Sequence, residues 1–135
     1  MLVRDHMTTQ IFTIRSDKML VAVREIMNWA HVRHVPVVDA TGKLVGIVSH
    51  RDLLHAAISS ATQVSEVERT RHLWKLPIEP IMRTEVQTIG PDDSVRQAAM
   101  LMRRSKIGCL PVVDGGGKMV GIISEYDLLG IVEKL

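Results

Sequence analysis

Residues 35–54 read VPVVDATGKLVGIVSHRDLL, and residues 110–129 read LPVVDGGGKMVGIISEYDLL. The two stretches align without a gap at an offset of 75 residues and agree at 13 of 20 positions. Chance would give about one agreement, so the stretches form an internal repeat. The agreement extends over residues 7–54 and 82–129, where 19 of 48 positions match. The chain therefore contains one folding unit twice.

The composition suits a small protein with an aliphatic core. Of the 135 residues, 46% are apolar and 3% are aromatic, so the core must consist of Val, Ile, Leu, Met and Ala. The net charge of +2 is too small to indicate nucleic-acid binding by itself. The single cysteine, Cys109, excludes an intrachain disulfide, and neither a signal peptide nor a membrane-length apolar run is found. We therefore expect a cytoplasmic protein without a membrane segment.

The first copy has the pattern of a strand, a helix, a hairpin and a second helix. We expect a short strand at residues 11–14 and a helix after Asp17, which stands where an N-cap belongs. The runs at 35–38 and 44–48 predict the two strands of a hairpin, and the second helix begins near Asp52. The order is β-α-β-β-α, and the fold class is α+β (α/β).

The second copy repeats this order. A short strand is expected at residues 86–89, and Ser94 and Gln97 have the spacing of a capping box at the start of a helix. A hairpin follows over residues 110–123, and a last helix over residues 124–133. The second copy is thus predicted to fold as the first does.

A linker separates the copies, and we expect a first unit at residues 1–58, a linker at 59–77 and a second unit at 78–135. Residues 66–74 can form a charged helix. Two interpretations are open: a solvated face, or a surface that binds a partner or phosphate. The basic residues concerned are Arg69, Arg71, His72 and Lys75.

Both copies resemble the CBS domain, named for cystathionine β-synthase. The resemblance lies in the PVVD strand and in the Gly-Ile-Val/Ile-Ser-x-x-Asp motif, which is GIVSHRD at residues 46–52 and GIISEYD at residues 121–127. It covers nearly the whole chain outside the linker. Two copies of both motifs in the same register are much more specific evidence for this resemblance than a single PVVD sequence. We identify the chain as similar to a tandem CBS pair, a stand-alone Bateman module, because the copies and the linker account for all of its residues.

The resemblance implies a fold and a function. The fold is two β-α-β-β-α units packed about a pseudo-twofold axis, and such modules commonly pair into homodimers through helix faces. The function is regulatory sensing of an adenosine-containing ligand such as AMP, ADP, ATP, S-adenosylmethionine or NAD(H), including energy sensing. We therefore expect no catalytic cofactor, an adenine nucleotide or S-adenosylmethionine as regulatory ligand, a homodimer, and an effector protein that the sequence does not identify.

The Ser-x-x-Asp motifs carry chemistry that suits such a ligand. Asp52 and Asp127 stand in the first turn of a helix, and a carboxylate there can accept strong, charge-assisted hydrogen bonds from the two ribose hydroxyls. The helix N-terminus favours phosphate through its free N–H groups and dipole. Ser49 and Ser124 offer hydroxyls nearby. Helix capping alone also explains this spacing, and the two roles are compatible.

The resemblance implies that each ligand site joins the approach to the PVV strand of one copy with the Ser-x-x-Asp motif of the other. Residues 31–34 of site one read HVRH, where the second copy reads KIGC at 106–109, and we hypothesise that site one takes a phosphorylated ligand better. Site one combines Ile14, Ser16, Asp17, Lys18, Val32, Arg33, His34, Ile122, Ser124 and Asp127.

Site two is the counterpart of site one. Gly108 leaves room there and exposes backbone, while His50 and Arg51 either add phosphate contacts or lie at the surface. Site two combines Ile89, Pro91, Asp92, Asp93, Ile107, Gly108, Cys109, Ile47, Ser49 and Asp52.

Catalysis and metal binding find no support in the motifs. The chain has no nucleophile elbow and no phosphate-binding loop, and the glycines at 115–117 lie in a hairpin. The pairs His31/His34 and His50/His55 lack the other ligands of a zinc site. We therefore expect a protein that is not an enzyme and holds no metal.

Two other functions remain open. One is a ligand-free dimerisation scaffold, which the retained Asp52 and Asp127 disfavour. The other is nucleic-acid contact through the basic linker with stacking on Trp74, which the lack of a groove-reading helix or aromatic platform disfavours.

Cys109 is either a redox-sensitive thiol or a small buried apolar residue.

Overall fold

The computed structural model describes residues 1–59 and 74–135. The chain divides into two compact units, of which one spans Phe12–Val86 and the other joins Met1–Ile11 to Gln87–Leu135. We call them the first and the second unit. These bounds differ from the repeat boundaries drawn from the sequence, because the N-terminal segment packs with the second copy.

The first unit has the predicted β-α-β-β-α order. Strand β1 runs parallel to β2, and β2 runs antiparallel to β3, with a register shift between Val37 and Val38. The mixed α/β class is therefore confirmed. The elements are β1 (Ile14–Arg15), α1 (Leu20–Ala30), β2 (His34–Val38), β3 (Leu44–Ser49) and α2 (His50–Ser59).

The second unit contains α3 (Val95–Ser105), β4 (Cys109–Val113), β5 (Met119–Ser124) and α4 (Glu125–Glu133), with β4 and β5 antiparallel. The strand predicted at residues 86–89 is not formed. Only Ile89 pairs, in an isolated parallel bridge to Val112. In the first unit the corresponding strand begins at Ile14, near the end of the predicted run at residues 11–14.

The cores consist of the β-branched strand residues and the apolar helix stripes. In the first unit Val35, Val37 and Val48 are fully buried, and Leu20, Val23 and Met27 of α1 pack on them. Burial of such a side chain stabilises a fold by roughly 1.5–3 kcal/mol. In the second unit the same positions hold Leu110, Val112, Ile123, Ala98 and Met102.

The first helices of the two copies begin differently. In α3 the capping box is confirmed, since the Gln97 N–H donates to Ser94 Oγ over 3.1 Å and the Ser94 N–H to Gln97 Oε1 over 2.8 Å. In α1 the prediction that Asp17 is the N-cap is wrong, because Met19 holds that position and caps with no side-chain bond. The Leu20 N–H donates instead to the carbonyl of Leu76, which is distant in sequence.

The first residues of each copy pair with the hairpin of the other copy. Thr8 and Ile122 exchange backbone hydrogen bonds of 2.8 and 2.9 Å in the second unit. At the same repeat positions, Arg83 and Ile47 exchange bonds of 2.9 and 3.0 Å in the first unit. The hairpin of each copy is thus joined by the first residues of the other copy.

Two glycines make this pairing possible. A Cβ on Gly121 would lie 2.6 Å from Met7 Sδ, and a Cβ on Gly46 would lie 2.7 Å from Met82 Sδ. Real Cβ atoms do not approach so closely, and the carbonyl oxygens of Thr8 and Arg83 add a contact at 3.0 Å. The glycine of the GIVS or GIIS motif therefore serves close packing.

Most of the linker predictions lie outside the described residues, including Arg69, Arg71, His72 and all but the last residue of the helix expected at 66–74. Trp74 is described and packs against the core of the first unit, with the Arg24 guanidinium 4.7 Å from its ring centre. Its ring is therefore engaged rather than free to stack on a base. Within the described ranges, no helix has the length and apolar character needed to cross a membrane.

Candidate functional site

The two Ser-x-x-Asp motifs adopt the same local structure at the starts of α2 and α4. The Ser49 N–H donates to Asp52 Oδ2 over 2.8 Å, and the Asp52 N–H donates to Ser49 Oγ over 3.1 Å. The corresponding distances for Ser124 and Asp127 are 2.9 and 3.3 Å. The expected capping is thereby confirmed, and it engages one oxygen of each carboxylate, leaving Oδ1 for another donor.

At Asp127 the partner that the described residues supply to the other oxygen is weak. The Thr8 hydroxyl donates to Asp127 Oδ1 over 3.3 Å, which is long for an O–H···O hydrogen bond. Asp127 is half-buried and lines a cavity of about 430 Å³ in the second unit. This carboxylate can therefore accept a hydrogen bond from a bound molecule.

At Asp52 the other oxygen is held by a cation. Arg83 Nε donates to Asp52 Oδ1 over 3.1 Å, in an ion pair where the Asp52 side chain is 9% exposed and that of Arg83 is 63% exposed. Both oxygens of Asp52 are thus hydrogen-bonded within the chain. Asp52 and Asp127 occupy equivalent repeat positions, but Oδ1 of Asp52 is bonded to a cation and Oδ1 of Asp127 to a neutral hydroxyl.

The cavity beside Asp127 falls in the size range of small-molecule sites, about 300–1,000 Å³. Its acidic and basic groups can hydrogen-bond a polar ligand, and its apolar atoms can cover a ring. Of these residues the motifs predicted Asp127 alone, because Met1, Asp5 and His6 belong to no motif and the others lie in or after α4 outside the Ser and Asp positions of the motif. The lining residues are Met1, Asp5, His6, Tyr126, Asp127, Gly130, Ile131, Lys134 and Leu135.

The residues of site one at 14–18 and 32–34 lie in the first unit, whereas Ile122 lies with Ser124 and Asp127 in the second. Ser16 pairs its N–H with the Val38 carbonyl next to β1, and Asp17 forms an exposed ion pair with Arg15 over 3.1 Å. The Arg33 carbonyl accepts the His50 N–H over 2.8 Å. The approach to β2 therefore meets the start of α2 inside the unit.

The residues of site two at 89–93 and 107–109 lie in the second unit, whereas Ile47, Ser49 and Asp52 lie in the first. Asp92 forms an exposed ion pair with Arg4, and Asp93 Oδ2 accepts the Gly90 N–H over 2.8 Å. The Gly108 carbonyl accepts the Glu125 N–H over 2.9 Å, as Arg33 does for α2. Each predicted site takes residues from both units, and its cross-pairing stays a prediction of the resemblance.

Cys109 is buried at the start of β4. Burial, and next the negative charge of Glu125, raise the pKa of its thiol to about 12. The protonated thiol is a poor nucleophile. Of the two interpretations, the small buried apolar residue describes Cys109 in this fold.

Among residues 1–59 and 74–135, no three His, Cys, Asp or Glu side chains come together in a way that could hold a metal ion. The carboxylates, helix N-termini and backbone groups described above can bind a ligand reversibly. The arrangement thus suits recognition of a polar small molecule.

The CBS domain family matches residues 3–59 and 78–134. The chain belongs to the CBS domain family, and its two copies make it a tandem CBS pair, as the repeat predicts. A CBS domain-containing protein of Dictyostelium discoideum is 34% identical over 134 residues, which cover 99% of this chain and 92% of that protein.

A solved relative carries ligands. The CBS domain pair of protein MJ0100, in complex with 5′-methylthioadenosine and S-adenosyl-L-methionine, superposes with a TM-score of 0.85 at 28% identity and covers 99% of this chain and 97% of that one. Other relatives are longer. A homoserine O-acetyltransferase of Methanococcoides burtonii is 32% identical over 126 residues, which cover 93% of this chain and 23% of that protein.

Proposed function

We propose that this CBS pair is a regulatory module that binds an adenosine-containing ligand and passes the signal to a partner protein. The ligand is S-adenosylmethionine, a related thioether nucleoside or an adenine nucleotide. The ligand acts by binding one conformation of the module more tightly than another, since only differential affinity shifts such an equilibrium. The module itself performs no reaction.

The arrangement of Asp127 carries the proposal. Its Oδ2 is fixed by the Ser124 N–H, so the carboxylate is held in one orientation, while among residues 1–59 and 74–135 Oδ1 meets only the weak Thr8 hydrogen bond. A ribose diol in place of that contact would gain charge-assisted hydrogen bonds. The nearby start of α4 favours negative groups. The complex of MJ0100 supports the ligand class, because both of its ligands are adenosines with a sulfur substituent at the 5′ carbon.

The test is isothermal titration of the purified protein with S-adenosylmethionine, 5′-methylthioadenosine, AMP, ATP and NADH, with GTP and phosphate as controls. The Asp127→Asn variant removes the charge but keeps an oxygen that can accept the cap hydrogen bond. Glu133→Gln makes the same charge change at the exposed end of the same helix and is the matched control.

We expect at least one adenosyl compound to bind, at least tenfold more weakly to Asp127→Asn and unchanged to Glu133→Gln. Thermal unfolding gives a second readout. A ligand at a hundred times its dissociation constant adds about 2.7 kcal/mol and raises the midpoint by several degrees. Failure of every adenosyl compound to bind the wild-type protein would refute the proposal.

An exposed apolar face on α4 supports the expected homodimer. Tyr126, Leu129 and Val132 are 84%, 65% and 61% exposed and lie three residues apart, on one side of the helix. Contiguous exposed apolar groups of this kind commonly mark an interface. Sedimentation analysis should show a dimer that Leu129→Glu dissociates and Glu133→Gln does not. A monomeric wild-type protein would contradict this part of the proposal.

The scaffold and nucleic-acid alternatives gain less support. A ligand-free scaffold would not need the open oxygen of Asp127. In the part of the linker that the structure describes, Trp74 packs on the core and Lys75 is exposed, so no described contact favours nucleic acid. The titration above separates a ligand sensor from a scaffold.

A further inference from the structure

Thr8 and Arg83 occupy the same position in the two copies, since each follows the methionine that packs on the motif glycine. Each also pairs its backbone with the hairpin of the other copy, at Ile122 and Ile47 respectively. The backbone therefore delivers both side chains to equivalent places. One is a short neutral hydroxyl and the other a long cation.

We propose that Arg83 occupies the ribose-binding carboxylate of the Asp52 motif, so that the chain binds its adenosyl ligand at the Asp127 motif in preference. This inference rests on the proposed function. Arg83 then competes with the ligand for Asp52. The residue that follows Met7 or Met82 decides which of the two Ser-x-x-Asp motifs can accept a ribose.

The contacts of Asp52 show why a diol competes poorly there. Oδ2 accepts the Ser49 N–H and Oδ1 accepts Arg83 Nε, and the carboxylate is 9% exposed. A ribose hydroxyl would have to replace a charged donor with a neutral one. Separating Arg83 from Asp52 would also leave a nearly buried carboxylate without its counter-charge, which is unfavourable.

The contacts of Asp127 impose no such barrier. Thr8 Oγ1 lies 3.3 Å from Oδ1, and a hydroxyl rotates easily and can accept as well as donate. A bound ribose hydroxyl can therefore take over Oδ1 while Thr8 turns toward the ligand or solvent. The local cap by Ser124 remains intact in that exchange.

The exposed side chain of Arg83 allows a rival role. It is 63% exposed and could leave Asp52 to contact a phosphate of the ligand. The probe 5′-methylthioadenosine separates the two roles, because it has the ribose and no phosphate. With this probe, an effect of removing Arg83 cannot come from a lost phosphate contact, and a gain of binding points to the release of Asp52.

The repeat supplies reciprocal variants. Arg83→Thr gives the first unit the residue of the second, and Thr8→Arg does the converse. Arg83→Gln removes the charge but keeps much of the length, and it guards against a specific effect of threonine on folding. Circular dichroism and urea unfolding establish that each variant is folded before titration.

We expect wild-type protein to bind about one 5′-methylthioadenosine per chain. Arg83→Thr and Arg83→Gln should add a second site, raising the stoichiometry from about one to about two, and Asp52→Asn in the same chain should abolish it. Thr8→Arg should weaken the original site by about tenfold or more.

Unchanged or weaker binding in both Arg83 variants would overturn the inference while leaving the proposed function in place. Two sites of equal affinity in the wild-type protein would overturn it as well. If neither this probe nor any adenosyl compound binds the wild-type protein, the proposed function fails first, and the inference falls with it.

Discussion

The thioether of Met7 packs on Gly121 so closely that a Cβ on this glycine would lie 2.6 Å from the sulfur. The contact joins the N-terminal segment to the hairpin of the second unit. Its counterpart in the first unit joins Met82 to Gly46. A larger residue at either glycine would therefore clash with these packed atoms and destabilise the fold.

Gly121→Ala should lower the free energy of unfolding by about 1–3 kcal/mol, as overpacking does. Urea unfolding followed by circular dichroism measures this change. The control is Gly130→Ala in α4, where an added Cβ meets nothing within 4 Å and alanine should stabilise the helix by roughly 0.5–1 kcal/mol. Equal effects of the two substitutions would show that close packing is not the reason why position 121 requires glycine.

The first helices of the two copies offer a matched pair of capping variants. Ser94→Ala removes the side-chain cap of α3 and should cost about 1 kcal/mol. Met19→Ala, at the same repeat position, should change stability by less than about 0.5 kcal/mol, because Met19 caps with no side-chain bond. Urea unfolding of both variants checks the difference, and a similar loss in both would contradict it.

The two motif carboxylates should differ in their contribution to stability. Asp52→Asn leaves Arg83 without its anion, and we expect a loss of about 1–2 kcal/mol, discounted because the Arg83 side chain is largely exposed. Asp127→Asn loses no charged partner and should cost under about 1 kcal/mol.

A double-mutant cycle checks the cause of that difference. Adding Arg83→Gln to Asp52→Asn should cost little more than Asp52→Asn alone, because both changes remove the same ion pair. Fully additive losses in urea unfolding would mean that the two side chains act independently.

The thiol of Cys109 should be protected by the fold. Burial raises its pKa from the usual 9.0 to about 12, so at pH 8 the folded protein contains almost no thiolate. Iodoacetamide should label native protein far more slowly than protein in urea, with Cys109→Ser as the unlabelled control. Equal rates would place the thiol at the surface.

The same pKa shift predicts a pH dependence of stability. The folded state holds the thiol proton more tightly than the unfolded state, so this contribution is fully present below pH 9. It is lost as the pH rises from 9 towards 12. The loss should be absent from Cys109→Ser when both proteins are unfolded with urea at pH 8 and pH 10.

Local patterns predicted the elements that depend on local forces. The hairpins, the helix after Asp17 and the capping box of Ser94 and Gln97 all appear in the structure. Each depends on side chains a few residues apart, where periodicity and capping chemistry are informative. The Ser-x-x-Asp motifs were found for the same reason.

Predictions that overlooked distant partners were wrong. Asp17 does not cap α1, because the Leu76 carbonyl already accepts the Leu20 N–H. Residues 86–89 form no strand, since only Ile89 reaches a partner, Val112. Local sequence propensity cannot reveal which backbone group from elsewhere in the chain will hydrogen-bond a given N–H or C=O.

The sequence by itself determined that one CBS unit occurs twice, that the core is aliphatic, and where the two Ser-x-x-Asp motifs stand. Only the tertiary structure decided that Thr8 meets Asp127 and that Arg83 meets Asp52. A repeat makes two motifs look alike because their local residues agree. The partner of each carboxylate comes from more than 30 residues away, so the long-range folding of the chain alone made one motif open and the other paired.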